Sequence, residues 1–284
     1  MNTFVKRTLS GAVYAGLVVS SILVHPAFFG LLMAVVSVWA VVEFHRLTGS
    51  SIGLTIRSAV LAAVGALVAG GYSLFPPCGF SRIRFVLWGV LGLSLLLMFC
   101  LVYELFAKAD NPIRNWGALL VSFLMIALPF DLMNAVAPWA LCGEDKFVLL
   151  ALFVTVWVND SGAYIVGSLT GKRKGGNHKM FPRVSPNKSW EGLIGGIVFA
   201  LLSGYVYFRV GWFNTLWIAL VFTLIISIFG TLGDLMESLF KRTLGVKDSG
   251  KFMPGHGGVL DRFDSLLLAT PAVVAFLLIL SALH

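Results

Sequence analysis

Four side chains in the run Gly233-Asp234-Leu235-Met236-Glu237-Ser238-Leu239-Phe240-Lys241 have types and spacing suited to joint chemistry. Asp234, Glu237, Ser238 and Lys241 fall at i, i+3, i+4 and i+7, one stripe of a helix. Two carboxylates and a hydroxyl on one face suit a hard cation such as magnesium, which prefers oxygen ligands. The same spacing also fits an acid–lysine pair that only neutralises charge, and spacing does not choose between the two. Downstream, Lys247-Asp248-Ser249-Gly250 leads to Pro254-Gly255-His256-Gly257-Gly258 and then Asp261-Arg262-Phe263-Asp264. Glycines beside His256 would let backbone N–H groups approach an anion closely. Asp261 and Asp264, three residues apart where the last helix begins, can face one site. Helix capping accounts for one such aspartate more easily than for both.

A second polar stretch carries Lys172, Arg173, Lys174, His178 and Lys179, then Arg183-Val184-Ser185-Pro186-Asn187-Lys188-Ser189-Trp190-Glu191-Gly192. Its bases suit a triphosphate or an anionic headgroup. A role in fixing topology covers Lys172 to Lys174. It does not explain Lys188, set between Ser185, Ser189 and Glu191 at a helix start. Asp160, followed by Ser161 and Gly162, lies deep in an apolar run and is a further candidate for polar contact with cation or substrate. Glu43, Glu104 and Asp131 lie nearer the ends of runs or beside basic residues and read as structural. Gly192 and Gly196 read as allowing close helix packing.

These residues must be carried by membrane-spanning helices. The chain has 284 residues, 58% hydrophobic and 12% charged, against about 25% charged in soluble domains. Fibrous, disordered and nucleic-acid-binding classes are excluded, because each needs more polar or repetitive sequence. The apolar runs predict an all-α polytopic protein with about nine spans, near 9–24, 28–45, 55–75, 84–106, 115–136, 147–169, 190–208, 213–240 and 264–283. Period-two patterning is absent, so no β-barrel is expected. The N-terminal run reads as a retained first span, with no small-residue cleavage site after it.

With the N-terminus inside, 17 of the 21 basic residues fall on the inner side, a strong positive-inside bias that also absorbs the net charge of +8. The polar loops 170–189 and 241–263 then share the cytoplasmic face. Residues 1–140 are expected to form a lipid-facing scaffold and 141–284 the catalytic region. Cys100 reads as packing. Cys78 and Cys142 lie in loops and lack metal-ligand spacing.

The stretch from Ser238 to Asp264, SLFKRTLGVKDSGKFMPGHGGVLDRFD, resembles the C-terminal signature of the phosphatidate cytidylyltransferases (CDP-diacylglycerol synthases). The matching positions are Ser238, Lys241-Arg242, Lys247-Asp248, Pro254 to Gly258, Asp261-Arg262 and Asp264. Met253 departs from the Leu, Ile or Phe usual there but stays apolar. Asp160-Ser161-Gly162-Ala163-Tyr164, Ser185 to Ser189, and Gly233-Asp234 with Glu237-Ser238 resemble other motifs of that family. The specific likeness covers about residues 150–270.

The resemblance implies transfer of a cytidylyl group from CTP to phosphatidate, on the cytoplasmic side of a bacterial inner membrane. The expected partners are CTP, phosphatidate and bilayer lipids, with a homodimer left open and no nucleic acid. An essential Mg2+ is expected on Asp234 and Asp261, with Asp264, Asp248, Glu237 and Ser238 completing or orienting its shell, and there are carboxylates enough for a second cation. Lys188, Arg183, Lys241 and Lys247 are the expected phosphate contacts. Ser185, Ser189, Asp160, Arg242, His256, Gly257, Gly258 and Arg262 complete the expected substrate site. A transporter with intramembrane carboxylates is the main rival reading. An enzyme that consumes CDP-lipids is the second.

Overall fold

The computed structural model describes residues 3–74, 80–107, 110–139, 146–172, 176–250 and 257–282. Long apolar runs separated by Pro, Gly or charge produce nine helical runs among them. These are α1 (Thr3–Val24), α2 (Pro26–Leu47), α3 (Ile52–Leu74), α4 (Phe80–Val102) with the one-turn α5 (Glu104–Ala107), and a fifth run built from α6 (Pro112–Val121) and α7 (Leu128–Trp139). Then come α8 (Lys146–Gly171), α9 (Trp190–Arg209), α10 (Leu216–Thr243) and α11 (Leu260–Ala282). Eight of the nine are long and apolar enough to cross a membrane. Leu67 and Leu105 are each 73% exposed, which water would penalise and lipid does not. The protein is an integral membrane protein.

Local chemistry sets the boundaries. Pro26 and Pro112 occupy first-turn positions, where a missing N–H costs nothing, and the Asn111 side chain accepts from Arg114 N at 3.0 Å. Helix α10 stops at Gly245, whose φ of +70° allows Val246 N to reach back to Lys241 O at 3.0 Å.

Two features differ from expectation. Residues Ser122–Ala127 between α6 and α7 form a π-helical turn, a local widening with no signature in apolar periodicity. The polar segment before α9 is also not strand-free. Strands β1 (Lys179–Phe181) and β2 (Ser185–Ser189) pair antiparallel, Lys179 opposite Ser189 and Phe181 opposite Ser185. At three and five residues they are too short for a period-two pattern to be read.

The chain divides into two compact units, 1–138 with 248–262, and 139–247 with 263–284. In the first unit, α2 packs on α3 and on the π-turn around buried Met33, Val41, Phe44, Leu61, Phe130 and Met133. Arg57 lies between helices, with Nη2 on Glu104 Oε1 at 2.5 Å and Nη1 on Cys100 O at 3.3 Å. Asn115 Nδ2 donates to the other Glu104 oxygen at 2.8 Å, and the Arg57 guanidinium sits 4.5 Å from the Tyr103 ring centroid. Asp131 is buried against Gly65, where a Cβ would overlap its carboxylate.

In the second unit, α8 and α9 approach closely. A Cβ at Gly195 would overlap Val166, and one at Gly196 would come within 2.6 Å of Asn159 Oδ1. Asn159 in turn accepts from the buried Ser227 hydroxyl of α10, so a polar pin joins all three helices. Phe153, Phe222 and Ile226 fill the core beside it.

Removing one member of the buried Arg57–Glu104 pair strands the other. Glu104→Ala is expected to destabilise the protein by about 3 kcal/mol, read as a lower Tm in detergent. The Arg57→Met/Glu104→Met double variant should recover part of that loss.

Candidate active site

In the second unit the polar residues of β2, α8, α10 and α11 gather. The β-hairpin carries Lys188 to its position one residue before Ser189. Ser189 is buried and caps α9, its Oγ accepting from Gly192 N at 3.1 Å. The hairpin is held at the same end by Glu191, whose Oε1 accepts from His178 N at 3.1 Å and meets His178 Nδ1 at 2.6 Å. So braced, Lys188 places its Nζ 2.7 Å from Asp234 Oδ2 and 3.4 Å from Thr231 O. Ser238, one turn after Asp234 on α10, donates to Asp234 Oδ1 at 3.3 Å. Both oxygens of Asp234 are therefore engaged.

The stripe read from spacing divides in two. Asp234 pairs across the fold with Lys188, whereas Glu237 pairs within its own helix with Lys241, Oε2 to Nζ at 2.6 Å. Asp264 accepts from Ser265 N at 2.6 Å and lies within electrostatic reach of Asp234, Glu237 and Asp160. Asp160 is within reach of Asp234 and Lys188 and accepts from Asn159 Nδ2 at 3.3 Å. Gly233 makes this approach feasible: a Cβ there would meet Asp264 O at 2.6 Å. Four acids thus surround two lysines, and the excess of carboxylate oxygen has the chemistry of a hard divalent cation site. Among the described residues no three His, Cys, Asp or Glu side chains converge into a ready-made metal cage. Magnesium is commonly held by only one or two carboxylates together with substrate phosphates and water, so this donor set fits an ion that arrives with a nucleotide.

A separate constellation forms in the first unit. Asp261, in the first turn of α11, accepts through Oδ2 from Ser249 N at 2.8 Å, Ser249 Oγ at 3.0 Å and Gly258 N at 2.7 Å. Glu43, near the end of α2, accepts from Ser249 Oγ and, through Oε2, from Val259 N at 3.0 Å. Gly257 has φ +83°, and at Gly258 a Cβ would overlap the Glu43 carboxylate. The Gly258 N–H, expected to meet an anionic ligand, here meets the chain's own Asp261.

Glu43 reads as structural from the sequence, and the structure supplies the partners that sequence does not: the Ser249 hydroxyl and the Val259 N–H. The signal was its place inside an apolar run, where an acid needs a partner. Of the remaining candidates, Arg183, Lys247 and Asp248 are exposed, and Arg242 is exposed with Nη1 on Val246 O at 3.0 Å. Ser185 and Arg262 are half-buried. His256 lies outside the described residues, as do Cys78 and Cys142.

Comparison with known proteins adds an independent line. Three curated relatives, each named phosphatidate cytidylyltransferase, align with part of the chain. That of Staphylococcus saprophyticus is 50% identical over 129 residues, 45% of this chain and 48% of the relative. That of Staphylococcus haemolyticus is 50% identical over 134 residues, 47% of this chain and 50% of the relative. That of Staphylococcus aureus strain COL is 49% identical over 129 residues, 45% and 48%. The chain spans about half the length of the curated relatives it matches. The pattern of the cytidylyltransferase family extends much further, over residues 5–280, and takes in both polar constellations. On that match, this chain belongs to the cytidylyltransferase family.

Proposed function

We propose that the protein transfers the cytidylyl group of CTP to phosphatidate, giving CDP-diacylglycerol and pyrophosphate. The observation that carries this reading is Lys188 Nζ on Asp234 Oδ2 at 2.7 Å amid Asp160, Asp264 and the Glu237–Lys241 pair. It sets cationic and anionic groups together on and beside membrane-spanning helices, where a charged nucleotide and a lipid phosphate both need partners. In the reaction an oxygen of the phosphatidate phosphate attacks the α-phosphorus of CTP. The new O–Pα bond forms as the bridging bond to Pβ breaks, and pyrophosphate leaves with that electron pair. The nucleophile comes with the substrate, so the protein needs no serine or cysteine of its own. Its task is alignment and charge neutralisation.

Lys188 and Lys241 are the ammonium groups assigned to phosphate. Arg183, Lys247 and Arg242 are exposed bases that draw the nucleotide in. A bound Mg2+ would supply Lewis-acid stabilisation of the phosphates, and Asp234 and Asp264 are its expected holders in the second unit. Ser238 orients Asp234 from the neighbouring turn. Asp261 is assigned as a further carboxylate on which turnover depends. The excess of basic residues in the loops that carry the site supports a cytoplasmic location for it.

The purified protein in detergent or liposomes should release pyrophosphate only when CTP, phosphatidate and Mg2+ are all present, with CDP-diacylglycerol appearing in equal amount. Solute flux without CTP, and no CDP-lipid, would replace this reading with a transporter. Lys188→Met should cut kcat/KM by about 100-fold or more, as loss of a charge-stabilising group at a transferring phosphoryl does; a rate within twofold of wild type would remove Lys188 from the site. Asp261→Asn keeps an acceptor oxygen for Ser249 and Gly258 but removes the charge. It should abolish turnover while the elution profile in detergent stays that of the wild type, and wild-type-like activity would sink the assignment.

A further inference from the structure

Glu43 is 7% exposed within α2, in the half of the chain that carries none of the recognised motifs. Among the described residues no lysine or arginine forms an ion pair with it. Its partners are instead the hydroxyl of Ser249, 206 residues further along the chain, and the backbone N–H of Val259. Both donors belong to the segment that leads into α11. Asp261 binds that same segment through Ser249 N, Ser249 Oγ and Gly258 N. Ser249 is therefore common to both carboxylates.

The surrounding glycines are shaped around this arrangement. A Cβ at Gly258 would overlap Glu43, and one at Gly250 would stand 3.0 Å from its Oε2. The main chain passes against the carboxylate at two places, so the close approach is built into the segment. A carboxylate accepts from both the hydroxyl and the amide, whereas a glutamine accepting from Val259 N would turn its NH2 to Ser249 Oγ and reverse that hydrogen bond.

The geometry points to Glu43 as a positioning residue for Asp261: it holds Ser249 and Val259, and through Ser249 the carboxylate expected to act in cytidylyl transfer. Glu43 touches no substrate in this role. The scaffold helices thus contribute to the reaction through one buried acid. The kinetic part of this inference rests on the proposed activity; the structural part does not.

The test uses full-length protein in detergent as wild type, Glu43→Gln, Ser249→Ala and the double variant. Two readouts are taken: amide hydrogen exchange by peptide, and turnover at varied CTP and Mg2+. Glu43→Gln should raise deuterium uptake between Ser249 and Leu260 while peptides of α8 to α10 keep wild-type protection. It should lower kcat by about 10- to 100-fold, as loss of an orienting partner does, raise the Mg2+ needed for half-maximal rate severalfold, and leave the KM for phosphatidate within twofold. Ser249→Ala should do the same more mildly, and the double variant should lose no more than the worse single one, because both act through one hydrogen bond.

Wild-type exchange between Ser249 and Leu260 in Glu43→Gln would overturn the inference. So would exchange rising throughout the chain, or losses that multiply in the double variant. Should the wild type itself show no CTP-dependent turnover, the proposed activity fails, and the exchange data alone decide whether Glu43 holds the segment.

Discussion

A charged side chain inside a membrane-spanning helix has no water to solvate it, and insertion scales place its cost at about 2.5–3.5 kcal/mol near the helix centre. The internal organisation of this protein follows from how each acid meets that cost. Glu104 is matched by Arg57 and Asn115, Glu237 by the lysine one turn on, and Asp234 by Lys188 and Ser238. Among the described residues Glu43 meets no cation and accepts from a hydroxyl and an amide. These solutions differ in consequence. A full guanidinium–carboxylate pair such as Arg57–Glu104 neutralises charge and stops there. A carboxylate met by neutral donors keeps its negative charge, and a cluster with more acids than lysines keeps an excess that invites a cation.

That difference separates frame from site more sharply than position in the chain does. The second unit places Asp160, Asp234, Glu237 and Asp264 about Lys188 and Lys241, bringing acids from α8, α10 and α11 together with a lysine from a short hairpin. The helices reach one another through glycines, and the hairpin is secured by Ser189 at the start of α9 and by Glu191 on His178. Each of those supporting contacts uses a neutral donor or a backbone group. The ammonium of Lys188 is thereby left for the carboxylate, and for any phosphate that competes for it.

Much of this was legible in the sequence, for identifiable reasons. Nine helical runs follow from apolar segments long enough to need a bilayer, and their ends follow from Pro26, Pro112 and Gly245 acting locally. Asp234, Ser238 and Lys188 were legible as chemically odd residues in apolar or helix-start settings. Their pairing was not, because periodicity relates residues on one helix and is silent about a lysine from a hairpin. Spacing alone left Glu237 and Lys241 open between a metal stripe and an internal ion pair; the structure contains the ion pair. The hairpin escaped because three- and five-residue strands carry too few positions to alternate. Glu43 was legible as a structural acid, but its partners were not, because Ser249 and Val259 lie 206 and 216 residues away.

The Ser249 hydroxyl shows why Glu43 and Asp261 cannot be considered apart. A hydroxyl has one proton to donate, and two carboxylates lie against it. Besides the hydroxyl, the Asp261 oxygen accepts from the N–H groups of Ser249 and Gly258, whereas among the described residues Glu43 accepts from the N–H of Val259. The proton therefore matters more to Glu43, and when it points there the Asp261 oxygen keeps its two amides and sheds the hydroxyl contact. The N–H groups of Ser249 and Gly258 then fix the direction of that oxygen, and an oxygen oriented by neutral donors is suited to serve a cation or a phosphate-bound metal. A lysine in place of this hydroxyl would hold the segment as firmly and would neutralise the charge it was meant to present.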